Sequence, residues 1–366
     1  MVVGAVVSQT GALAAMAAEY QKGLMLWHEE LNKAGGLLGR PVELRLRDDG
    51  SDAVRSGELY RELIRDKADL LVGPFGSAAT LMAGAEAERA RRVLINGAGP
   101  SQTVHRRGTR YMFQTAVPNA AYGEGVIELA RSAGLRNIFI LARDDLTSRE
   151  MAQAAHQAAV KHGLKPAELL VYSSAAVDFS AQIEKARAAD TEVWIAYGGL
   201  RDTADMVRSL SKLGYAPRLF FARSAADPKL IPMIGQDAEF SLGAIDYDAR
   251  LATPGNQAFV RAFQARWSAP PEAIAAHGYA AGTVLAEAVR RAGSLDQEKL
   301  RTTLVQLEVG TVLGGYMVDP ESGAQLAARP AVVQIQRGKP EVVWPEWLQS
   351  APLQPYLPWS ERQLLE

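Results

Sequence analysis

Four short stretches hold the residues that could do chemistry. They are Ser8-Gln9-Thr10-Gly11, the run from Val72 to Thr80 (VGPFGSAAT), Asn96-Gly97-Ala98-Gly99-Pro100-Ser101, and Tyr197-Gly198-Gly199. Each is rich in glycine or small hydroxyl residues, which lets backbone approach a ligand closely. In VGPFGSAAT, glycines at a strand end lead into Ser77 and Thr80 at a helix start, an arrangement that aims backbone amides at something negative. A phosphate would want a lysine or arginine beside the loop, and Gly73 to Thr80 has none. Gly97-Ala98-Gly99 lacks the third glycine of G-x-G-x-x-G, and no G-x-x-x-x-G-K-[ST] occurs. A carboxylate asks for less, because a few amides and one or two hydroxyls at a helix N-terminus suffice. The alternative reading is that Ser77 is a plain helix N-cap.

Catalytic constellations find little support. There is no G-x-S-x-G elbow and no H-E-x-x-H metal spacing. His28, His156 and His162 sit in helical patterns and His105 in a basic loop; His277, in Ala276-His277-Gly278-Tyr279, reads as a structural hydrogen-bonder. Asp48-Asp49 ends a strand, where paired acids more often cap a turn than do acid/base work. No enzyme, metal or cofactor is expected.

These loops need elements to position them. Apolar runs alternate with amphipathic helical patterns: Val2–Val7 precedes a helix of about residues 17–34, Val42–Arg47 precedes Ala53–Lys67, and Leu70–Val72 precedes Ala78–Arg91. After Pro118 the pattern restarts, with strands at Ile138–Leu141, Leu169–Tyr172, Val193–Ala196 and Leu219–Phe221, and a helix at Thr203–Leu213. Short apolar strands between helices predict an α/β fold of two doubly wound lobes, each a parallel sheet covered on both faces. Residues 255–304 read as helices, and residues 316–319 and 332–336 as short strands. The segment Trp344 to Trp359 holds three of the six Trp, and packing is expected because exposed Trp at that density would be costly.

The 366 residues suit two domains. Lys and Arg (40) nearly balance Asp and Glu (41), so no global field draws nucleic acid or an anionic membrane. With no cysteine, disulfides and thiolate chemistry are excluded. No apolar run approaches the ~20 residues that span a bilayer. Strand-like residues begin at Met1-Val2-Val3 with no leader before them, so the chain is either cytosolic or had a leader removed.

The stretches VVGAVVSQTG, GLMLWHEELNKAGGLLGRPVELRLRDDGSD, LLVGPFGSAAT and VLINGAGPSQT, continued by FILARDDLTS, WIAYGGLRDTADMVRSLSKLGY and AHGYAAGTVLAEAV, cover nearly the whole chain. Together they resemble the periplasmic solute-binding proteins of the leucine/isoleucine/valine type that serve ABC transporters. The Asn32-x-x-Gly35-Gly36-x-x-Gly39-Arg40 turn followed by Asp48-Asp49 is the most specific part. The resemblance implies the type I periplasmic-binding fold: two lobes joined by three crossings, near Ala116–Pro118, Ile245–Tyr247 and Asp319–Gly323. Lobe 1 would be residues 1–117 plus 246–320, and lobe 2 residues 118–245 plus 321–366. A ligand cleft between them would close by hinge motion.

Carried over residue by residue, Phe75, Gly76 and Ser77 would hold the ligand carboxylate by amides and a hydroxyl. Ala98 and Ser101 would add a carbonyl and a hydroxyl, although Pro100 falls beside the expected hydroxyl position. Met16 stands where the family often has a tyrosine, Thr147 where another aromatic is expected, and Leu200 after the Gly-Gly pair that includes Gly198. The largest departure is Arg223, at the place where amino-acid binders put an acid to meet the ligand's ammonium. A cation beside an ammonium would cost several kcal/mol. This points to a carboxylate ligand lacking an α-amino group, or bearing a second acid. In the alternative register, Arg223 faces solvent and Asp227 or Asp202 meets an ammonium, which keeps branched-chain and other hydrophobic amino acids open.

The expected function is therefore binding without chemistry: a periplasmic monomer, its signal peptide removed, that delivers a small carboxylate to an ABC permease in the membrane. No nucleic-acid partner is expected. A ligand-sensing regulator of the same fold is the rival reading.

Overall fold

A computed structural model describes residues 1–362 except 107 and 168. The chain begins with β1 (Val2–Val6), α1 (Ala14–Lys33), β2 (Glu43–Arg47), α2 (Ala53–Arg65), β3 (Leu70–Val72), α3 (Ser77–Ala90), β4 (Leu94–Asn96) and β5 (Met112–Gln114). The second series is α4 (Glu124–Ser132), β6 (Asn137–Arg143), α5 (Leu146–Lys161), β7 (Lys165–Pro166), β8 (Leu170–Tyr172), α6 (Ser180–Ala188), β9 (Val193–Tyr197), α7 (Leu200–Lys212), β10 (Leu219–Ala222), α8 (Leu230–Ile234) and β11 (Leu242–Ile245). Helices α9 (Asn256–Trp267), α10 (Ala273–Ala292) and α11 (Gln297–Gln306) lead to the hairpin β12 (Val309–Thr311) and β13 (Gly314–Tyr316). The described chain closes with β14 (Ala331–Gln336), β15 (Lys339–Trp344) and α12 (Trp359–Arg362).

Two compact units result. Unit 1 is Met1–Pro118 with Asp246–Arg329, and unit 2 is Asn119–Ile245 with the described residues from Pro330 onward. Unit 1 holds a parallel sheet in the order β2-β1-β3-β4-β5. The two-residue period of its strands sends alternate side chains to opposite faces. Val3, Ala5, Leu70, Val72, Ile95 and Phe113 join one cluster with α1, α10 and α11. Val6, Leu71, Leu94 and Met112 join another with α2 and α3. Burial on both faces is why these strands read as continuous apolar runs. Glycines let α1 and α10 pack: a Cβ on Gly23 would fall 1.9 Å from the Ala275 carbonyl oxygen, and one on Gly278 2.3 Å from that of Tyr20.

Unit 2 repeats the winding, with β8-β6-β9-β10-β11 parallel. Phe139, Leu141, Trp194, Ala196, Phe220 and Ala222 pack on one face against α6, α7 and α8.

Four expectations need correction. The unit 2 sheet is not wholly parallel, since β14 pairs antiparallel with β11 and β15 antiparallel with β14. The strand expected at 316–319 is instead β13, paired only with β12 among the described strands. The turn Asp319–Gly323 stays in unit 1, because Gln114 N donates to the Gly323 carbonyl at 2.9 Å and His105 reaches the Ser322 carbonyl, so unit 2 resumes only at Pro330. Trp347, expected to be packed, is 68% exposed on a short 3-10 turn, whereas Trp359 donates to the Tyr215 carbonyl at 2.9 Å. No helix among the described residues is long and apolar enough to cross a membrane.

Candidate functional site

In a doubly wound sheet, ligands bind beyond the carboxyl ends of the strands, where the winding reverses. In unit 1 that point lies between β1 and β3, and in unit 2 between β6 and β9. The loops singled out above emerge there.

In unit 1 the loops after β3 and β4 are laced together. Gly73 N donates to the Ile95 carbonyl at 2.7 Å, Phe75 bridges Ala98, and Gly76 N donates to the Ala98 carbonyl at 3.1 Å. Gly76 has φ +93°, which a residue with a Cβ adopts only under strain, and it is the N-cap of α3. Ser77 is therefore not the N-cap but the first helical residue, and its Oγ accepts from Ser101 N at 3.1 Å. The first intrahelical amide is Thr80 N, bonded to the Gly76 carbonyl at 3.0 Å. The amides of Ser77, Ala78 and Ala79 precede it and have no partner in the ladder. Phe75, Gly76 and Ser77 are half-buried, and Ala98 and Ser101 buried. Ser101 acts as scaffold: its amide holds Ser77, and its Oγ caps Thr103 N at 3.2 Å. Met16, 45% exposed, lies in the first turn of α1 at the same sheet edge.

Two histidines brace the β4 loop. His277 Nδ1 donates to the Gly97 carbonyl at 3.0 Å while its Nε2 lies 2.9 Å from Asp246 Oδ2, so it is the structural hydrogen-bonder expected. His105, assigned to a basic loop, is in fact buried. Its Nδ1 faces the Ser322 carbonyl at 2.9 Å and must donate, so Nε2 accepts from Asn96 Nδ2 at 3.1 Å. Asn96 in turn clamps Gly99, with Oδ1 accepting from its amide at 2.7 Å and Nδ2 donating to its carbonyl at 2.9 Å. This bracing had no local signal, because its partners are far apart in the chain. Burial holds the His105 imidazole below its usual pKa, against a smaller opposing pull from the Ser322 carbonyl. The unfolded chain then takes up the proton first. The stability His105 contributes is full above about pH 6.5 and is lost as pH falls below that. Urea midpoints at pH 7.5 and 5.5 should show this loss, and His105→Gln should flatten the difference; an unchanged slope would remove His105 as its source.

The acids of the first loop are structural. Asp48 accepts from the amides of Gly50 (2.9 Å) and Gln9 (2.8 Å) and from Thr10 Oγ1 (2.8 Å). The Gly50 amide above all holds its pKa below the usual carboxylate range. Asp49 accepts from Ser8 Oγ at 2.6 Å and Ser51 N at 2.9 Å.

In unit 2, Asp145 caps α5 by accepting from Ser148 N at 2.8 Å, leaving Leu146 and Thr147 exposed on the first turn. Gly198 is required, since a Cβ there would fall 1.9 Å from Tyr172 Oη. Its carbonyl accepts from Ser224 Oγ at 2.7 Å. Leu200, half-buried, opens α7. Asp202 is buried, and its Oδ2 accepts from Gly199 N at 2.7 Å and Tyr172 Oη at 3.4 Å, with Arg143 Nη1 at 3.6 Å. Asp227 accepts from Lys229 N at 2.9 Å in a local turn. Arg223 begins the 3-10 turn Arg223–Ala226 at the end of β10, half-buried, with its guanidinium 4.8 Å over the Tyr122 ring.

Residues 1–340 match the model of a family described as periplasmic binding proteins. An amino acid binding protein of Pseudomonas aeruginosa is 26% identical over 322 residues, covering 86% of this chain and 84% of that one. A substrate-binding protein of an ABC transporter from Desulfitobacterium hafniense, solved with Leu, superposes with TM-score 0.75 at 19% identity, covering 93% of this chain and 99% of that one. A solute-binding protein of an ABC transporter from Rhodopseudomonas palustris, solved with 3,4-dihydroxy benzoic acid, gives TM-score 0.71 at 20% identity, covering 93% and 94%. These relatives are binding proteins by name, not enzymes.

Proposed function

The chain belongs to the periplasmic binding protein family, and on that premise we propose that it is the extracytoplasmic solute-binding component of an ABC importer, presenting a small organic acid to a membrane permease. One observation carries the ligand class: at the carboxyl edge of the unit 2 sheet, the end of β10, Arg223 brings a cation. An ammonium beside Arg223 would be repelled, and a carboxylate would gain charge-assisted hydrogen bonds. Unit 1 offers the amides of Ser77 to Ala79 and the Ser77 hydroxyl to a carboxylate. The ligand is therefore a 2-keto acid, an aromatic acid or a dicarboxylate. The solved neighbour that holds 3,4-dihydroxy benzoic acid supports an aromatic acid. The second reading, a branched-chain or other hydrophobic amino acid, is favoured by the amino acid binding relative and by the neighbour solved with Leu.

A thermal-shift screen against amino acids, 2-keto acids and aromatic acids separates the two. A ligand at ~100 times its dissociation constant adds about 2.7 kcal/mol, which moves the melt visibly. Shifts with amino acids alone would overturn the acid reading. Ser77→Ala is expected to weaken every carboxylate ligand about tenfold, the worth of a hydrogen bond to a charged group. Titration calorimetry showing unchanged affinity would take Ser77 out of the site.

A further inference from the structure

We infer that His105 is a positioning residue for the loop after β4: it sets which way round the Asn96 amide lies, so that carboxylate binding on unit 1 requires a neutral imidazole. This deepens the carboxylate reading of unit 1 and rests on it. The chain of donors begins at the Ser322 carbonyl, 2.9 Å from His105 Nδ1. A carbonyl only accepts, so Nδ1 carries the proton and Nε2 of the neutral ring is an acceptor. Nε2 lies 3.1 Å from Asn96 Nδ2, which turns the amide nitrogen of Asn96 toward the imidazole. The same orientation lets Asn96 Oδ1 take the Gly99 amide at 2.7 Å and Nδ2 reach the Gly99 carbonyl at 2.9 Å. Asn96 is wholly buried, so bulk solvent does not make good a partner lost there.

Gly99 seats the loop on α3, since a Cβ there would fall 2.7 Å from Thr80 Oγ1 in the first turn of that helix. Beside it, the Ala98 carbonyl accepts from Gly76 N and Ser101 N donates to Ser77 Oγ, each at 3.1 Å. Protonation would give Nε2 a hydrogen and set it against Asn96 Nδ2, donor facing donor. Turning the Asn96 amide round to offer Oδ1 would instead set Nδ2 against the Gly99 amide. No arrangement of the clamp satisfies every donor once the ring is charged, and buried donors left unmet are costly. Gln114 Nε2, 3.4 Å from the Gly99 carbonyl, steadies that carbonyl but cannot serve its amide.

The charges on the surrounding elements are engaged elsewhere or exposed. Asp319 Oδ1, in the turn with Ser322, accepts from Ser322 N and Oγ at 2.8 Å each, and Glu321 of that turn is exposed. Arg106 and Arg110 are exposed, and Arg106 donates to Gln102 Oε1 at 3.0 Å. On α3, Glu86 pairs with Arg61 and Arg89, and Glu88 accepts from Tyr111 N. None of these side chains bonds to the imidazole among the described residues, and β4 and β5 bring no charged side chain. Burial holds the ring below its usual pKa, so it is neutral near pH 7 and the loop loosens only on the acid side of about pH 6.5.

NMR and titration calorimetry on the full chain from pH 7.5 to 5.0 test this, with leucine, 4-methyl-2-oxopentanoate and benzoate as probes. All three carboxylates stay mainly ionised over that range, so a large change in affinity belongs to the protein. In the ligand-free wild type the Gly99 amide shift should follow the titration of the His105 imidazole. Affinity for a probe that binds should hold above the midpoint of that curve and fall by up to about tenfold per pH unit below it. His105→Gln, whose amide does not titrate, should give a flat Gly99 shift and an affinity that does not change with pH, whatever its level. If that variant does not fold, the wild-type curves alone decide. The inference is overturned, and the carboxylate reading stands, if the imidazole does not titrate over the range, if the Gly99 amide does not follow it, or if the affinity of a bound probe ignores it. Equal pH dependence in the wild type and His105→Gln has the same consequence. If the wild type binds none of the three probes, both fail.

Discussion

Arg223→Glu is expected to weaken two-carboxylate ligands by about 100-fold or more and to let zwitterionic amino acids bind in their place. The substitution exchanges an attractive pair for a like-charge pair at a half-buried position. It also places an acid at the end of β10 in place of the cation. Arg223→Gln should show only the first half of the effect, loss of acids without gain of amino acids. Affinities for succinate, terephthalate and leucine measured on the three proteins decide it. Acid binding that survives the glutamate variant would place Arg223 outside the site.

The second large effect is on unit 1 alone. Gly278→Val is expected to destabilise it by about 3 kcal/mol or more, at the upper end of overpacking costs because the clash is with backbone. A Cβ at Gly278 would sit 2.3 Å from the Tyr20 carbonyl oxygen and 3.1 Å from Leu24 N, and no rotamer change relieves contact with main chain. The same crossing presses Gly282 onto the Trp27 ring, 2.2 Å from where a Cβ would lie. Separating α1 from α10 would open the cluster that holds Tyr20, Leu24, Trp27, Val284 and Leu285. Tyr20 also donates to the Gly73 carbonyl at 3.0 Å, so ligand affinity should fall with stability. Urea unfolding followed by tryptophan fluorescence reads the loss, with Arg290→Ala on the exposed side of α10 as a near-neutral control. A Gly278→Val midpoint close to wild type would show that the helices can separate without cost.

The alternation of strand and helix was legible because parallel strands buried on both faces leave unbroken apolar runs, as Leu70–Val72 and Val193–Tyr197 do. The antiparallel pair β14 and β15 was not, since Val332-Val333 reads like any buried strand. A cue was present in Arg337-Gly338, both at positive φ, the two-residue turn of a hairpin. Ser77 was legible as a residue at a helix start, but its place at the first helical position depends on Gly76 adopting φ +93°. The exposure of Trp347 runs against an area argument that holds for Trp359, and nothing local distinguishes the two.

By itself the sequence determined the fold class, the absence of cysteine chemistry, and a loop at Gly73–Thr80 with amides and hydroxyls but no cation. Each of these follows from local composition and periodicity. Only the tertiary structure decided which acid is buried, which histidine is buried, and what lies under Arg223. Those answers depend on partners brought together from distant segments, Arg143 and Tyr172 at Asp202, Ser322 at His105, Tyr122 at Arg223. A buried charge is defined by its surroundings, and those exist only once the chain has folded.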